Sequence, residues 1–78
     1  MFTTYILWSE RMHKYYIGST GDLADRLERH NLGREHYTSK GVPWIVVHSE
    51  EFVTRAEAVN KEFQIKKRGA KRYIESLN

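Results

Sequence analysis

Two short runs near the N-terminus, both rich in β-branched and aromatic residues, restrict the fold of this chain more than any other feature. The first run is TTYILW, from Thr3 to Trp8, and the second spans Lys14 to Ile17. Only the polar stretch from Ser9 to His13 separates them, which predicts a β-hairpin. A parallel pair would need a crossover helix between the strands. We therefore expect a small, largely antiparallel sheet with helices packed against it.

One helix and a third strand are predicted after the hairpin. Asp22 is a plausible N-cap for a helix that ends near Asn31. The polar loop REHYTSKG, residues 34–41, then leads to the apolar run from Trp44 to Val47, which has the composition of a strand. This run would complete a three-stranded sheet.

The second half of the chain carries the strongest helix signal. The tetrapeptide Thr-Arg-Ala-Glu, which starts at Thr54, is a capping box in which Glu57 can reach back to the Thr54 amide. The helix is expected to continue to Arg68, with Gly69 as its C-cap and a short terminal helix within residues 70–78. The predicted order is ββαβα(α). It describes an α/β protein, more narrowly α+β, in which helices flank a three-stranded, largely antiparallel sheet.

Length and composition indicate one domain, residues 1–78, with a small core. Such a core supplies only a few kcal/mol, so each buried polar side chain needs a partner. The chain has no cysteine and no apolar segment of membrane-spanning length, so we expect a cytoplasmic monomer that does not enter a membrane. The formal net charge is +3, with a basic cluster, KKRGAKR, near the C-terminus, and this permits a polyanionic partner.

Arg26 lies at the border of the apolar stripe of the first predicted helix. With Leu23 at zero and about 100° per residue, His30 falls at about −20° and Arg26 at about −60°. The simplest explanation is that the aliphatic stem of Arg26 covers the sheet while its guanidinium reaches solvent. His30 would then cap the core and hydrogen-bond to a tyrosine.

Glu62 is the matching irregularity, of opposite charge, in the second long helix. With Val59 at zero, Phe63 falls at about 40°, Ala58 at about −100° and Ile65 at about −120°. Glu62, at about −60°, therefore lies inside the predicted apolar arc. A carboxylate there must be paired, hydrogen-bonded or metal-bound, because an isolated buried charge costs too much. Lys66, one turn later, is the simplest partner. A polar pocket shared with Arg26 is the alternative.

Tyr5 and Tyr16 add phenolic hydroxyls to this pattern. Strand tyrosines commonly do no more than pack against helices. Together with an arginine and a carboxylate that holds a divalent cation, however, they suit phosphodiester hydrolysis, in which phosphate charge is stabilised and a water molecule is oriented. The chain lacks the P-loop spacing of nucleotide hydrolases and the paired Cys and His spacings of zinc sites, so neither function is indicated.

These residues together resemble the GIY-YIG nuclease domain, above all its small stand-alone bacterial members. The triplet Tyr-Ile-Gly at residues 16–18 matches the second half of the family name. Arg26 follows at the family's distance within DLADRLERHN, and Glu62 ends the stretch TRAEAVNKE. The first half of the name is represented by Thr-Thr-Tyr at residues 3–5, of which only the tyrosine matches. The resemblance covers nearly the whole chain.

The resemblance implies a metal-dependent endonuclease that cleaves DNA. It implies that Glu62 binds one divalent metal ion, Mg²⁺ or Mn²⁺, that Arg26 contacts the scissile phosphate, and that Tyr5 and Tyr16 flank the attacking water. His30 matches a position near the nucleophile. It is a rival general base, because an imidazole has a reference pKa of about 6.5 whereas that of a phenol is about 10. A single carboxylate is sufficient for magnesium, which keeps several waters.

A surface that contacts the DNA backbone is expected around these residues. Gly18 could serve as a turn glycine or allow a phosphate to approach the backbone closely. The predicted substrate-binding residues are Gly18, Ser19, Arg34, Tyr37, Lys40 and Lys66, with help from His36, Lys67 and Arg68. Phosphate contacts of this kind give affinity and salt sensitivity but no sequence choice. A solvated charged face is the simpler explanation for any one of these cations.

For a nuclease of this kind, DNA repair is one expected pathway. Two alternative functions are also consistent with the sequence. The first is a non-catalytic nucleic-acid-binding module that acts with a partner protein, whose binding would fall with salt and be indifferent to replacement of Glu62. The second is an interaction domain in which Glu62, Arg26 and Lys66 only form a buried ion-pair network. In that case, replacement of Glu62 would strongly lower thermal stability.

Overall fold

A three-stranded antiparallel sheet forms the centre of the computed structural model, which describes residues 1–34 and 36–77. The strands are β1 (Phe2–Ser9), β2 (Lys14–Thr20) and β3 (Trp44–Phe52), in the spatial order β2-β1-β3. Both neighbours pair antiparallel with β1, which is the central strand. The predicted hairpin and sheet are therefore confirmed. β2 and β3 extend beyond the predicted runs because their polar ends still pair with the first residues of β1.

Three α-helices complete the predicted order ββαβαα. They are α1 (Leu23–Asn31), α2 (Arg55–Arg68) and α3 (Ala70–Ser76), and a short 3₁₀ helix (Thr38–Gly41) precedes β3. The Asp22 side chain accepts a hydrogen bond from the Asp25 amide at 3.0 Å, so the predicted N-cap is confirmed. The predicted capping box at Thr54 is also present. None of these helices has the length and apolar character needed to cross a bilayer, within the residues described.

Helices cover the two faces of the sheet separately. Alternation along β1 turns Tyr5 and Leu7 toward Trp44 and α1, and it turns Ile6 toward Ile65 and α3. A register irregularity lies opposite the step between Ile6 and Leu7, where β1 pairs with β3. The chain therefore buries two thin cores, one on each side of β1, and their residues also support the functional groups described below.

The buried side of α2 covers only part of the predicted apolar arc. Phe63, which was expected in the core, is 64% exposed, while Ala58 and Ile65 are buried. The small Ala58 side chain lets α2 approach the central strand so closely that the Thr4 hydroxyl donates to the Ala58 carbonyl at 2.6 Å. Because this contact fixes the rotation of the helix, the side toward the sheet runs through Ala58, Glu62 and Ile65.

Side-chain hydrogen bonds to the backbone anchor the segment between α1 and β3. The Asn31 amide group donates to the Trp44 carbonyl at 3.1 Å, and its oxygen accepts from the Trp44 amide at 2.6 Å. The Trp44 indole donates to the Thr38 carbonyl at 2.7 Å. These bonds hold the 3₁₀ helix against the end of α1.

A second polar cluster, centred on Glu50, joins β3 to α2 and α3. The Glu50 carboxylate accepts hydrogen bonds from the Tyr73 hydroxyl and from His48 Nε2, and the Lys61 ammonium lies 3.7 Å away. Burial alone would raise the pKa of Glu50, but these three neighbours outweigh burial and hold the pKa below the ordinary value of 4.5.

Replacement of Glu50 by glutamine is expected to make stability less dependent on pH. A depressed folded-state pKa stabilises the fold above the unfolded pKa, and this contribution disappears as the pH falls through the folded value. Glu50→Gln should therefore lower the free energy of unfolding by about 1 kcal/mol at pH 7, and this loss should shrink as the pH falls below the ordinary pKa of 4.5. Urea denaturation at several pH values measures this difference. Glu51→Gln, at the exposed neighbouring residue, is the matched control and should change the free energy of unfolding at pH 7 by less than about 0.5 kcal/mol.

Candidate active site

Tyr5 places a phenolic hydroxyl beside a strand position that lacks a side chain. It lies in β1, directly opposite Gly18 of β2, and is buried. A Cβ atom at residue 18 would lie 2.5 Å from Tyr5 Oη and 2.7 Å from Cζ. The φ angle of Gly18 is not positive, so backbone conformation does not require glycine here. Glycine is needed because the phenol occupies the space of a side chain; the predicted contact of Gly18 with a phosphate stays a prediction.

His30, in the last turn of α1, contacts the Tyr5 hydroxyl through a ring nitrogen. It is 1% exposed, with Nε2 3.3 Å from Tyr5 Oη and Nδ1 2.8 Å from Thr38 Oγ1. The Tyr16 ring packs edge-on against the imidazole, with the ring centroids 5.0 Å apart. Contacts on both ring nitrogens fix the orientation of His30 and link it to Tyr5.

The pKa of Tyr5 reports which charges surround its hydroxyl. Burial raises this pKa to about 12, and Tyr16 contributes in the same direction. The Arg26 guanidinium opposes this rise through its charge and a hydrogen bond, whereas the Glu62 carboxylate adds to it. Tyr5 is consequently a neutral phenol at neutral pH. Both predicted charged residues, Arg26 and Glu62, act on the same hydroxyl.

Glu62 is held in place through both of its carboxylate oxygens. Ser19 Oγ donates to Oε1 at 2.7 Å, and the Lys66 ammonium donates to Oε2 at 2.7 Å. The side chain of Glu62 is 18% exposed and lies on the sheet-facing side of α2, between Ala58 and Ile65. The carboxylate is therefore oriented by a hydroxyl of β2 and neutralised by a cation of its own helix.

Arg26 and Glu62 reach this region from opposite sides of the sheet. α1 packs on the face that carries Tyr5, and α2 packs on the face that carries Ile6. Both charges act on the Tyr5 hydroxyl, which lies against Gly18 of the edge strand β2, and the next residue, Ser19, contacts Glu62. Aromatic hydroxyl, guanidinium and carboxylate are thus gathered at one edge of the sheet.

The other predicted substrate-binding residues lie farther out. Tyr37 is exposed, and its ring centroid is 6.3 Å from that of Tyr16, so it borders the cluster. Arg34 and Lys40 are exposed in the segment between α1 and β3. The three residues predicted to assist in substrate binding are also exposed: His36, Lys67 and Arg68. These side chains are accessible to a large anionic ligand.

Sequence reasoning missed two contacts that position the site. Thr38 supports His30 from a segment predicted to be only a polar loop, and Ser19 was assigned to substrate although its hydroxyl donates to Glu62. No local pattern identifies Thr38. The contact of Ser19 with α2 could have been predicted, because strand alternation places Ser19 on the face of the sheet opposite Tyr16, where α2 packs.

Glu62 is the one residue of this cluster that fits the expected divalent metal. Its oxygens are hard donors, as Mg²⁺ prefers, and each has capacity beyond the hydrogen bond that it accepts. Over residues 1–34 and 36–77 no group of three or more His, Asp or Glu side chains is arranged to hold a metal ion. A metal at Glu62 would therefore complete its shell with water and phosphate oxygens. The Lys66 ammonium, which is hydrogen-bonded to the same carboxylate, would compete with such a metal for Glu62.

A known family model and several known proteins match most of this sequence. Residues 1–75 match the family model described as the GIY-YIG catalytic domain. A UPF0213 protein of Bacillus velezensis is 39% identical over 64 residues, which are 77% of this chain and 65% of the relative. One of Halobacterium salinarum is 38% identical over 53 residues, 67% of this chain and 69% of the relative.

A solved structure shares the fold. The solution NMR structure of a UPF0213 protein from Bacillus halodurans aligns with a TM-score of 0.60 at 28% identity, covering 100% of this chain and 86% of that one. The matched region spans only about two thirds of the sequence relatives, 65% and 69% of the two above. Because the family model matches nearly all of the residues that build the sheet and the cluster at its edge, the chain belongs to the GIY-YIG family.

Proposed function

We propose that this chain is a metal-dependent endonuclease that hydrolyses phosphodiester bonds in DNA. The observation that carries the proposal is the position of the Tyr5 hydroxyl. This hydroxyl contacts His30, and the charges of Arg26 and Glu62 act on its pKa in opposite directions. Membership of the GIY-YIG family supports the same reaction class.

Arg26 would stabilise the negative charge that develops on the scissile phosphate. A guanidinium is always charged and can donate two parallel hydrogen bonds to phosphate oxygens. Glu62 would hold a divalent metal which, when bound, supplies Lewis-acid stabilisation of the same phosphate. Ser19 keeps the Glu62 carboxylate in the orientation that this task requires.

Tyr5 and His30 would act together on the attacking water. Tyr5 has a pKa of about 12, so it is not a phenolate in the resting protein. His30 is almost completely buried and has its Nε2 directed at Tyr5, so it has no direct access to bulk water. We infer that Tyr5 orients the water and accepts its proton while passing its own proton to His30 Nε2. Tyr16 packs against the imidazole and borders the same water.

Incubation with supercoiled, branched and single-stranded DNA in Mg²⁺ or Mn²⁺ tests the proposal, with Arg26→Lys as the diagnostic variant. Lysine keeps the charge but loses the planar pair of donors, so cleavage should slow by about tenfold to a hundredfold. Arg29→Lys is the matched control, because Arg29 lies in the same helix and pairs with Asp25 on the exposed side, at 3.2 Å. Single-turnover cleavage rates give the comparison.

The assay also separates the nuclease from a non-catalytic module. Binding of DNA without cleavage of any substrate, unchanged in Glu62→Gln, would replace the enzyme proposal by that of a nucleic-acid-binding module that needs a partner. Equal cleavage rates for Arg26→Lys and Arg29→Lys would remove Arg26 from the reaction.

A further inference from the structure

The ion pair between Lys66 and Glu62 places a cation at the oxygen where a metal would bind. Lys66 Nζ lies 2.7 Å from Oε2, while Oε1 accepts from Ser19 on β2. We propose that Lys66 is an internal counter-ion that a divalent metal displaces from Glu62. This inference rests on the proposed function, and it adds a residue that regulates the affinity of the site for metal.

The two sides of the pair differ in freedom. The Glu62 side chain is 18% exposed and is hydrogen-bonded to the neighbouring strand, whereas the Lys66 side chain is 49% exposed. Lysine carries its charge on a flexible four-carbon stem. Displacement of the ammonium into solvent therefore leaves the carboxylate in place, oriented by Ser19, for the incoming ion.

Simultaneous occupation of Oε2 by both cations is unfavourable. A divalent cation held by Oε2 would lie beside the Lys66 ammonium, which is at hydrogen-bond distance from the same oxygen, and the two cations would repel each other. Burial of Glu62 on the sheet-facing side also disfavours a carboxylate with no cation at all. The site is thus occupied by one cation or the other, and the displaced ammonium becomes available to a phosphate oxygen of the substrate.

An ordinary i,i+4 surface pair would be the simpler account, and the two accounts differ in what they predict for metal binding. Removal of the Lys66 charge should tighten Mn²⁺ binding on the order of fivefold, which is the value of one lost ion pair. Removal of the adjacent Lys67 charge should change it less than about twofold, because an exposed and screened charge acts only at a distance. The two substitutions alter the net charge equally.

Electron paramagnetic resonance of free Mn²⁺ measures the affinity directly in wild type, Lys66→Gln, Lys67→Gln and Glu62→Gln, without any substrate. We expect tighter binding in Lys66→Gln alone and loss of binding in Glu62→Gln. In a parallel Mg²⁺ titration followed by NMR, the Lys66 side-chain ammonium resonance of the wild type should move toward that of Lys67. Lys66→Ala serves as a second variant if glutamine perturbs the helix.

Several outcomes would overturn the inference. Unchanged or weaker Mn²⁺ binding in Lys66→Gln, with binding still lost in Glu62→Gln, would exclude displacement while leaving the proposed function intact. Equal tightening in Lys66→Gln and Lys67→Gln would assign the effect to net charge. Absence of Mn²⁺ binding in all four proteins would remove both the displacement and the metal-dependent reaction.

Discussion

Glu62→Gln is expected to reduce metal-dependent DNA cleavage about a thousandfold while the protein stays folded. Glutamine has the same shape and still offers one oxygen to Ser19 or Lys66, but it has no charge to attract a divalent ion. The free energy of unfolding should fall by no more than about 2 kcal/mol, because one of the two charge-assisted hydrogen bonds is lost, the other is weakened, and no cavity is made. Single-turnover rates and urea denaturation measure the two effects.

The Glu75→Gln variant is the matched control for charge. Glu75 is exposed in α3, so its replacement alters the net charge equally and should leave cleavage within about twofold. A Glu62→Gln protein that cleaves DNA at the rate of Glu75→Gln would contradict the assignment of Glu62. A large loss of stability without loss of metal binding would instead favour the purely structural ion-pair network.

Gly18→Ala is expected to impair stability and activity together. The added methyl group would lie 2.5 Å from the Tyr5 hydroxyl oxygen, and the buried phenol has little room to move aside. Overpacking of this kind costs about 1 to 3 kcal/mol. Displacement of the hydroxyl from His30 should also slow cleavage by about a hundredfold, because misplacement of a reacting group by one ångström is sufficient for such a loss.

The control for Gly18→Ala is the same substitution at Gly21. A methyl group there would meet only the edge of the Phe2 ring, at 3.6 Å, so stability should change by less than about 0.5 kcal/mol. Thermal unfolding and cleavage assays on both variants give the contrast. If Gly18→Ala retains wild-type activity, the hydroxyl of Tyr5 does not need the position that it occupies here.

Much of the fold was predictable because its signals are local. The hairpin depends on two runs separated by five residues, and the caps at Asp22 and Thr54 depend on contacts three residues apart. Such patterns lie within a single window of sequence. Arg26 and Glu62 were singled out by a similar route, since a charged residue on an apolar stripe is visible in helical periodicity alone. Tyr5 and Tyr16 were singled out by strand alternation and by the resemblance to the family.

Features that depend on distant contacts were not predictable in this way. The predicted apolar arc of α2 includes both Phe63 and Ile65. The contact of Thr4 with Ala58 decides which end of this arc faces the sheet, so Phe63 was misplaced. Nothing near Thr38 indicates that it supports His30. The Glu50 cluster likewise assembles residues from three elements, none of which looks unusual along the chain.

The hydrogen bond from Thr4 to Ala58 joins residues 54 positions apart and has a consequence for synthesis of the chain. The first strand emerges from the ribosome early, but Glu62 can reach its place only after α2 has docked on that strand. A partly made or proteolytically shortened chain therefore holds Tyr5 and Arg26 without their carboxylate. Under the proposed function, a chain shortened before α2 would carry the phenol and the guanidinium but would not hydrolyse DNA.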